Sequence, residues 1–177
     1  MHQIVLIIKS TVPPGSCSIL EKKANKNISL ASNPEFLREG FAWKDFSKSG
    51  RIILGHEDNF SKKILLEIYK KFKDEKILVN NTTAEFIKYL SNVFLANLIS
   101  FSNDLAIFAE NFKNINVKTS FDALKLDRRW NGYPADMTSY LRPGIGYGGY
   151  CLPKDTRALS HVMKKFKKDN NVEKIDK

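Results

Sequence analysis

Cys151 stands between a glycine-rich run, Gly144-Ile-Gly-Tyr-Gly-Gly149, and Leu-Pro-Lys154-Asp155. Four glycines in six residues let the main chain pass close to a ligand and turn its N–H groups toward an anion or a developing oxyanion. A thiol at that point, at the start of a helix and beside Lys154, is in a setting that favours the thiolate and nucleophilic catalysis. A plain loop accounts equally well for the glycines, and a lone cysteine is more often a small buried apolar residue. Cys17 lacks such a setting and is read as core. The glycines also spell G-x-G-x-x-G. With no convincing strand before them, and with Cys151 and Pro153 ahead of any helix, they are not a dinucleotide fingerprint.

Two further pairs carry chemistry. Lys88 and Asn92 are four apart on a helical segment and share a face, interrupting the apolar stretch from Phe86 to Leu95. A solvated stripe is the ordinary explanation; a lysine donor aimed at an oxyanion or a carboxylate is the functional one. Glu35 and Glu39, also four apart, lie between Asn33-Pro and Gly40. There a carboxylate serves either as a base or water-ordering group, or as a capping, solvated side chain.

The elements that must position these residues alternate at first. Gln3 to Lys9 reads as a buried strand, Thr11 to Gly15 as a turn, and Ser16 to Asn25 as a short helix with Ser16 at its N-cap. Ile28 to Ala31 is the next strand, Ser32 to Gly40 a loop, Arg51 to Gly55 a strand, Phe60 to Lys73 a helix and Lys76 to Asn80 a strand. The spacing predicts a partial Rossmann-like parallel sheet over residues 1–80. Beyond it the pattern changes. Thr82-Thr-Ala-Glu85 spells a capping box, and Phe86, Leu90, Phe94, Leu98, Phe101, Leu105 and Phe108 recur at helical spacing. One helix of about thirty residues follows, too apolar to stand alone, so residues 81–168 are predicted to form a mainly α-helical domain in which this helix packs in a helical layer or across a dimer interface, as a dimerisation domain would. Arg129 to Arg142 is irregular, Lys154 to Lys168 a final amphipathic helix, and 169–177 a polar tail.

Composition narrows the class. The chain has 177 residues, 42% of them hydrophobic and 27% charged, with nine Gly and six Pro, as expected of a globular chain. The apolar run Ile4 to Ile8 is too short for a signal or membrane span, so no membrane partner is expected. Two cysteines without C-x-x-C and three scattered histidines give no metal spacing and point to a reducing cytoplasm. The net charge of +10 would suit nucleic acid, an anionic membrane or an acidic small molecule such as a nucleotide diphosphate, and charge alone does not choose among them. Lys164 to Lys168 holds a single aromatic, Phe166, and reads as a solvated helix end fraying into a polar terminus, so nucleic acid is not expected.

Four motifs in order, Lys9-Ser-Thr-Val-Pro-Pro-Gly15, Asn33-Pro-Glu-Phe-Leu-Arg-Glu-Gly40, Lys88-x-x-x-Asn92 and Gly146-Tyr-Gly-Gly-Tyr-Cys-Leu-Pro-Lys-Asp-Thr156, resemble those of the UDP-glucose 6-dehydrogenases of the UDP-glucose/GDP-mannose dehydrogenase family. The resemblance runs from Ile4 to Leu159. It implies NAD as cofactor, a UDP-sugar as substrate, and oxidation of the sugar C6 alcohol to a carboxylate through an aldehyde, a thiohemiacetal and a thioester. By the same resemblance Cys151 is the nucleophile, Lys88 and Asn92 stabilise the oxyanion, Glu35 serves as acid and base, and Thr11 and Asp155 position the water and the lysine. Ser10, Thr11, Val12, Glu39 and Lys154 match NAD-contacting positions. Glu35, Phe36, Leu37, Arg38, Glu39, Lys88, Asn92, Arg129 and the stretch Leu141, Arg142, Pro143, Gly144, Ile145, Gly146, Tyr147 and Gly148 match substrate-contacting positions.

The family's initial G-x-G-x-x-G unit and its second Rossmann-like domain are missing, and the connection after Arg129 is longer than the family's. A central fragment, inactive alone, is therefore expected, acting as a homodimer through the long helix or with complementing fragments. A related UDP- or GDP-sugar dehydrogenase, or a non-enzymatic dimerisation or binding remnant, are the competing expectations.

Overall fold

The computed structural model of the chain describes residues 3–110, 112–127, 144 and 146–170. Their elements run β1 (Ile4–Ile8), α1 (Ser16–Glu21), β2 (Ile28–Ser32), α2 (Ala42–Ser47), β3 (Arg51–His56), α3 (Asn59–Ile68), β4 (Glu75–Val79), α4 (Asn81–Ala109), α5 (Val117–Lys125) and α6 (Cys151–Asn170). The chain divides into two compact units, Met1–Leu90 with Ala158–Lys177, and Ser91–Arg157.

In the first unit the strands form one sheet in the order β1-β2-β3-β4. β1 pairs with β2 in parallel, as does β3 with β4, while β2 and β3 run antiparallel. The expected α/β layer is thus present, with a mixed rather than wholly parallel sheet. β3 reads as a continuous apolar run because both its faces are covered: Ile52, Ile53 and Leu54 are all buried. β1 is an edge strand and alternates instead. Val5 and Ile7 pack against the core of Ala31, Ile52, Leu54, Leu65 and Tyr69, whereas Ile4 and Leu6 are about half exposed, at 52% and 51%. The expectation of a fully buried first strand is corrected accordingly. Leu54 and Leu65, with no exposed surface, each contribute about 1.5–3 kcal/mol of apolar transfer energy.

Helix starts differ from the sequence expectation for definite reasons. Gly15, not Ser16, caps α1, with φ 91° and no side-chain cap, a conformation that suits glycine. The N–H groups of Gly15 and Cys17 are instead met by the two carboxylate oxygens of Glu85, at 2.5 and 2.8 Å. Glu85 is therefore not the far arm of a capping box. α4 begins before Thr82, and Asn80 Oδ1 accepts from the Thr83 N–H at 2.7 Å. α1 ends at Glu21 and α3 at Ile68, short of the expected Asn25 and Lys73. Two helices, α2 and α5, have no counterpart in the sequence reading. α5 is capped by Asn116, whose side chain accepts from Thr119 N–H.

β3 and α4 approach closely at Gly55. A Cβ there would lie 2.7 Å from Ala84 Cβ, 3.0 Å from Asn81 Oδ1 and 3.0 Å from the Ser32 carbonyl. Asn81, fully buried, uses that closeness: its Oδ1 accepts from Ser32 N–H and its Nδ2 donates to the Leu30 carbonyl.

α4 is 29 residues long, as its periodicity predicts. Its amphipathic sense is inverted for a surface helix. Glu85, Lys88, Tyr89, Asn92 and Ala96 are buried along one face, while Phe86, Leu90, Phe94, Phe101, Leu105 and Phe108 are exposed along the other. By length and composition α4 would also pass for a membrane span. Glu85 and Asn92 on its buried face nonetheless hydrogen-bond to Gly15 and Asp155.

Candidate active site

In the first unit, the C-terminal ends of parallel β1 and β2 lie side by side, with Ile8 opposite Ser32. The segments Lys9–Val12 and Asn33–Glu39 leave the sheet together there, at the carboxyl edge where open α/β sheets bind ligands. Ser10 is exposed, and Thr11 and Val12 are half-buried. The β2–β3 pairing ends at Ser32 and Gly55, and the segment beyond it is held to β3 by Asn33, whose Nδ2 donates to the Ile53 carbonyl at 2.8 Å.

Lys9 holds this edge together. Its Nζ donates to Asn33 Oδ1 at 2.8 Å and to the Tyr69 hydroxyl at 3.0 Å, and pairs with Glu35 Oε1 at 3.1 Å. The Tyr69 hydroxyl in turn donates to Asn33 Oδ1. Lys9 Nζ lies 5.7 Å from the Tyr69 ring centroid, which with the hydroxyl only 3.0 Å away places it off the rim of the ring, so the contact is a hydrogen bond and not a cation–π contact. Glu35 is half-buried and faces this network, with Phe36, Arg51 and Tyr69 among the residues lining a small cleft of about 40 Å³. Leu37, Arg38 and Glu39 are exposed. Arg38 makes a two-pronged pair with Asp45, donating through Nε and Nη2 at 2.9 and 2.8 Å. The Arg38 hydrogen bond holds the Asp45 carboxyl at about 2, below the ordinary 3.8.

Lys88 is 9% exposed, which removes the solvated-stripe explanation for it. Its ammonium lies 5.1 Å from the Phe36 ring centroid. Cys17 is buried, as expected of a core cysteine; burial first, then the hydrogen-bonded Glu85 carboxylate, pushes its thiol far up.

In the second unit, Cys151 is the first residue of α6 and is exposed. Pro153 sits in the first turn, where its missing N–H has no intrahelical partner to lose. One turn on, Asp155 is fully buried. Its Oδ2 accepts from Asn92 Nδ2, and its Oδ1 pairs with Lys154 Nζ at 2.7 Å. That pair is a contact of charges, since no aligned hydrogen bond reaches Oδ1. The Asn103 side-chain oxygen accepts from Gly144 N–H at 2.6 Å, tying the glycine run to α4. Gly146 and Gly149 have φ of 96° and 73°, so two of the four glycines are used for conformations that other residues rarely adopt. Tyr147 is half-buried and Gly148 exposed. Arg129, Leu141, Arg142, Pro143 and Ile145 lie outside the described residues. Among the described residues no group of three His, Cys, Asp or Glu side chains is gathered to hold a metal ion.

Sequence reasoning did not single out Lys9, Asn33, Tyr69 or Asn103. Lys9 and Asn33 open two of the motifs. Asn103 recurs eleven residues after Asn92, three helical turns along the same face. Tyr69 carried no signal.

A mixed α/β layer with segments leaving the sheet at its carboxyl edge, followed by a long helix and a cysteine-bearing helix, is a Rossmann-like architecture. Residues 1–73 match the NAD binding domain of the UDP-glucose/GDP-mannose dehydrogenase family, and residues 82–175 match its central domain. The chain belongs to that family, and its cofactor is NAD. It is 39% identical over 174 residues to the UDP-glucose 6-dehydrogenase of Rickettsia prowazekii (strain Madrid E), an alignment covering 95% of this chain and 38% of that protein. Its fold matches that of a UDP-glucose dehydrogenase from the hyperthermophilic archaeon Pyrobaculum islandicum with a TM-score of 0.80 at 37% identity, over 93% of this chain and 38% of that one. A GDP-mannose dehydrogenase from Pseudomonas aeruginosa matches with a TM-score of 0.62 at 29% identity, over 91% of this chain and 38% of that one. The chain thus spans under two-fifths of the length of these relatives.

Proposed function

We propose that this chain carries the sugar-oxidising centre of a UDP-glucose 6-dehydrogenase. The observation that carries the reading is Cys151, exposed on the first turn of α6, with the buried Asp155 one turn behind it and tied to Asn92. NAD, when bound, accepts hydride from C6 in each of two oxidations. The exposed Ser10, the half-buried Thr11 and Val12, and Glu39 at the carboxyl edge of the sheet fit such a ligand, with Lys154 as a further contact.

The alcohol first loses a hydride and a proton to become an aldehyde. The Cys151 sulfur adds to its carbon, and the oxygen's growing charge is met by the Lys88 ammonium and the Asn92 amide. Loss of a second hydride leaves a thioester. Water, positioned by Thr11 and Asp155 and relieved of a proton by Glu35, releases the carboxylic acid and regenerates the thiol. The stretch Glu35 to Glu39, Arg129 and Leu141 to Gly148 bind the UDP-sugar. UDP-glucose is favoured over a GDP-sugar by the higher identity to UDP-glucose dehydrogenases.

The exposed phenylalanine face of α4 supports a homodimer through that helix, and free thiols at Cys17 and Cys151 accord with a cytoplasmic location.

The test uses no turnover. The C6 aldehyde of UDP-glucose is added to the chain, and alkylation of Cys151 by iodoacetamide is followed by peptide mass spectrometry. Slowed alkylation, weakened in Lys88→Met, is expected. An unchanged rate with the aldehyde in excess removes the assignment of Cys151 as nucleophile and leaves the dimerisation module as the reading.

A further inference from the structure

Phe36 is shared by two cations. Its ring centroid is 4.8 Å from Arg51 Cζ and 5.1 Å from Lys88 Nζ. Arg51 reaches the ring from β3 and Lys88 from α4. The two cations differ in setting: Arg51 is exposed, whereas Lys88 is buried at 9% exposure. The ring therefore matters most to the lysine, because a cation–π attraction strengthens as water is removed.

We propose that the Phe36 ring is a positioning residue for the Lys88 ammonium, fixing it for the C6 oxyanion; this rests on the reading of Lys88 as the oxyanion-stabilising group. A lysine stem has four flexible carbons, and an ammonium that swings among positions contributes little preorganised charge. An aromatic face adds the attraction of the ring quadrupole to whatever else the lysine contacts, and does so without contributing an opposing charge. The neighbouring residue supports the assignment. Glu35 is drawn away to Lys9, at 3.1 Å, so one segment presents a carboxylate to Lys9 and a ring to Lys88.

The experiment measures the rate at which an amine-acylating reagent modifies Lys88 in the full chain, relative to exposed lysines of the same molecule. The chains compared carry Phe, Tyr, Leu or mono-, di- and trifluorinated phenylalanine at position 36. Phe36→Tyr should stay within about twofold of the parent rate, and Phe36→Leu should react about tenfold faster. The fluorinated rings, which keep the shape and lose the quadrupole, should rise stepwise. They also cover the case in which Phe36→Leu does not fold. A flat fluorine series overturns the proposal. A second arm adds the UDP-glucose C6 aldehyde to the parent chain, and protection of Lys88 from acylation is expected. A ring-dependent rate without that protection overturns the oxyanion reading instead, and with it the positioning role, leaving Phe36 as packing.

Discussion

Asn92 on α4 donates its side-chain amide to the carboxylate of Asp155 on α6, a carboxylate with no exposed surface. The bond joins residues 63 positions apart and aligns the first turn of α6, where Cys151 sits, with the polar face of the long helix. A buried carboxylate needs such donors, and here Asn92 supplies one and Lys154 a counter-charge.

Removing that donor should be costly. Asn92→Ala leaves Asp155 buried with one oxygen unmet, and urea unfolding is expected to show a loss of about 1–3 kcal/mol. The paired change Asn92→Ala with Asp155→Ala should lose less than the sum of the two single changes. Strict additivity would show that the two side chains do not interact in solution.

Gly55→Ala is expected to destabilise the chain by about 1–3 kcal/mol through overpacking, because its methyl would sit 2.7 Å from Ala84 Cβ. Adding Ala84→Gly should recover part of the loss. Equal unfolding midpoints for Gly55→Ala and the parent would contradict the close helix–strand approach.

The two thiols should react very differently. Iodoacetamide on the native chain is expected to modify exposed Cys151 and to spare Cys17, which is buried and whose thiol is pushed up by burial and by Glu85. Glu85→Ala removes the acceptor for the Gly15 and Cys17 N–H groups, so it should loosen α1 and bring Cys17 into reaction. Peptide mapping reads both results.

The clasp between Arg38 and Asp45 has a definite pH window. Asp45 has its carboxyl held down to about 2 from 3.8, so the folded form binds the proton less readily than the unfolded one. The clasp's contribution is therefore complete above pH 3.8 and is lost as pH falls toward about 2. The Arg38 Nε–H resonance should stay sharp and slow to exchange at the upper end of that window and broaden at the lower end. Asp45→Asn should abolish this acid transition, and its persistence would assign it to another carboxylate.

Burying the phenylalanine face of α4 in a second copy predicts a dimer. Sedimentation of the parent chain should show two copies, and Phe94→Glu with Phe101→Glu should yield monomers of unchanged helix content. A monomeric parent chain removes the dimer proposal.

Much of the fold was legible because its elements announce themselves locally. Continuous apolar runs marked the strands, and the recurrence of Phe86, Leu90, Phe94 and Phe101 marked α4 in length and position. What failed was decided at a distance. Thr82 to Glu85 spells a capping box, but Glu85 reaches across to Gly15 and Cys17, whose amides no local residue satisfies. Ser16 is a good N-cap by type, yet the chain turns at Gly15 because only there is a left-handed φ available at low cost. α2 and α5 are short and weakly patterned, and packing and a local Asn cap decide them.

The amino-acid sequence alone determined the residue types and their order: the motifs, the alternation of strands and helices, and the placing of a cysteine at the start of a helix, all of which depend on neighbours within a few positions. Only the tertiary structure decided which groups meet. Phe36 meets Arg51, and the burial of α4's polar face rather than its phenylalanines sends Lys88 to Phe36 and Asn92 to Asp155. The reason is physical. A polar side chain removed from water must find a partner, and that partner is set by register and packing, which link residues far apart in the chain.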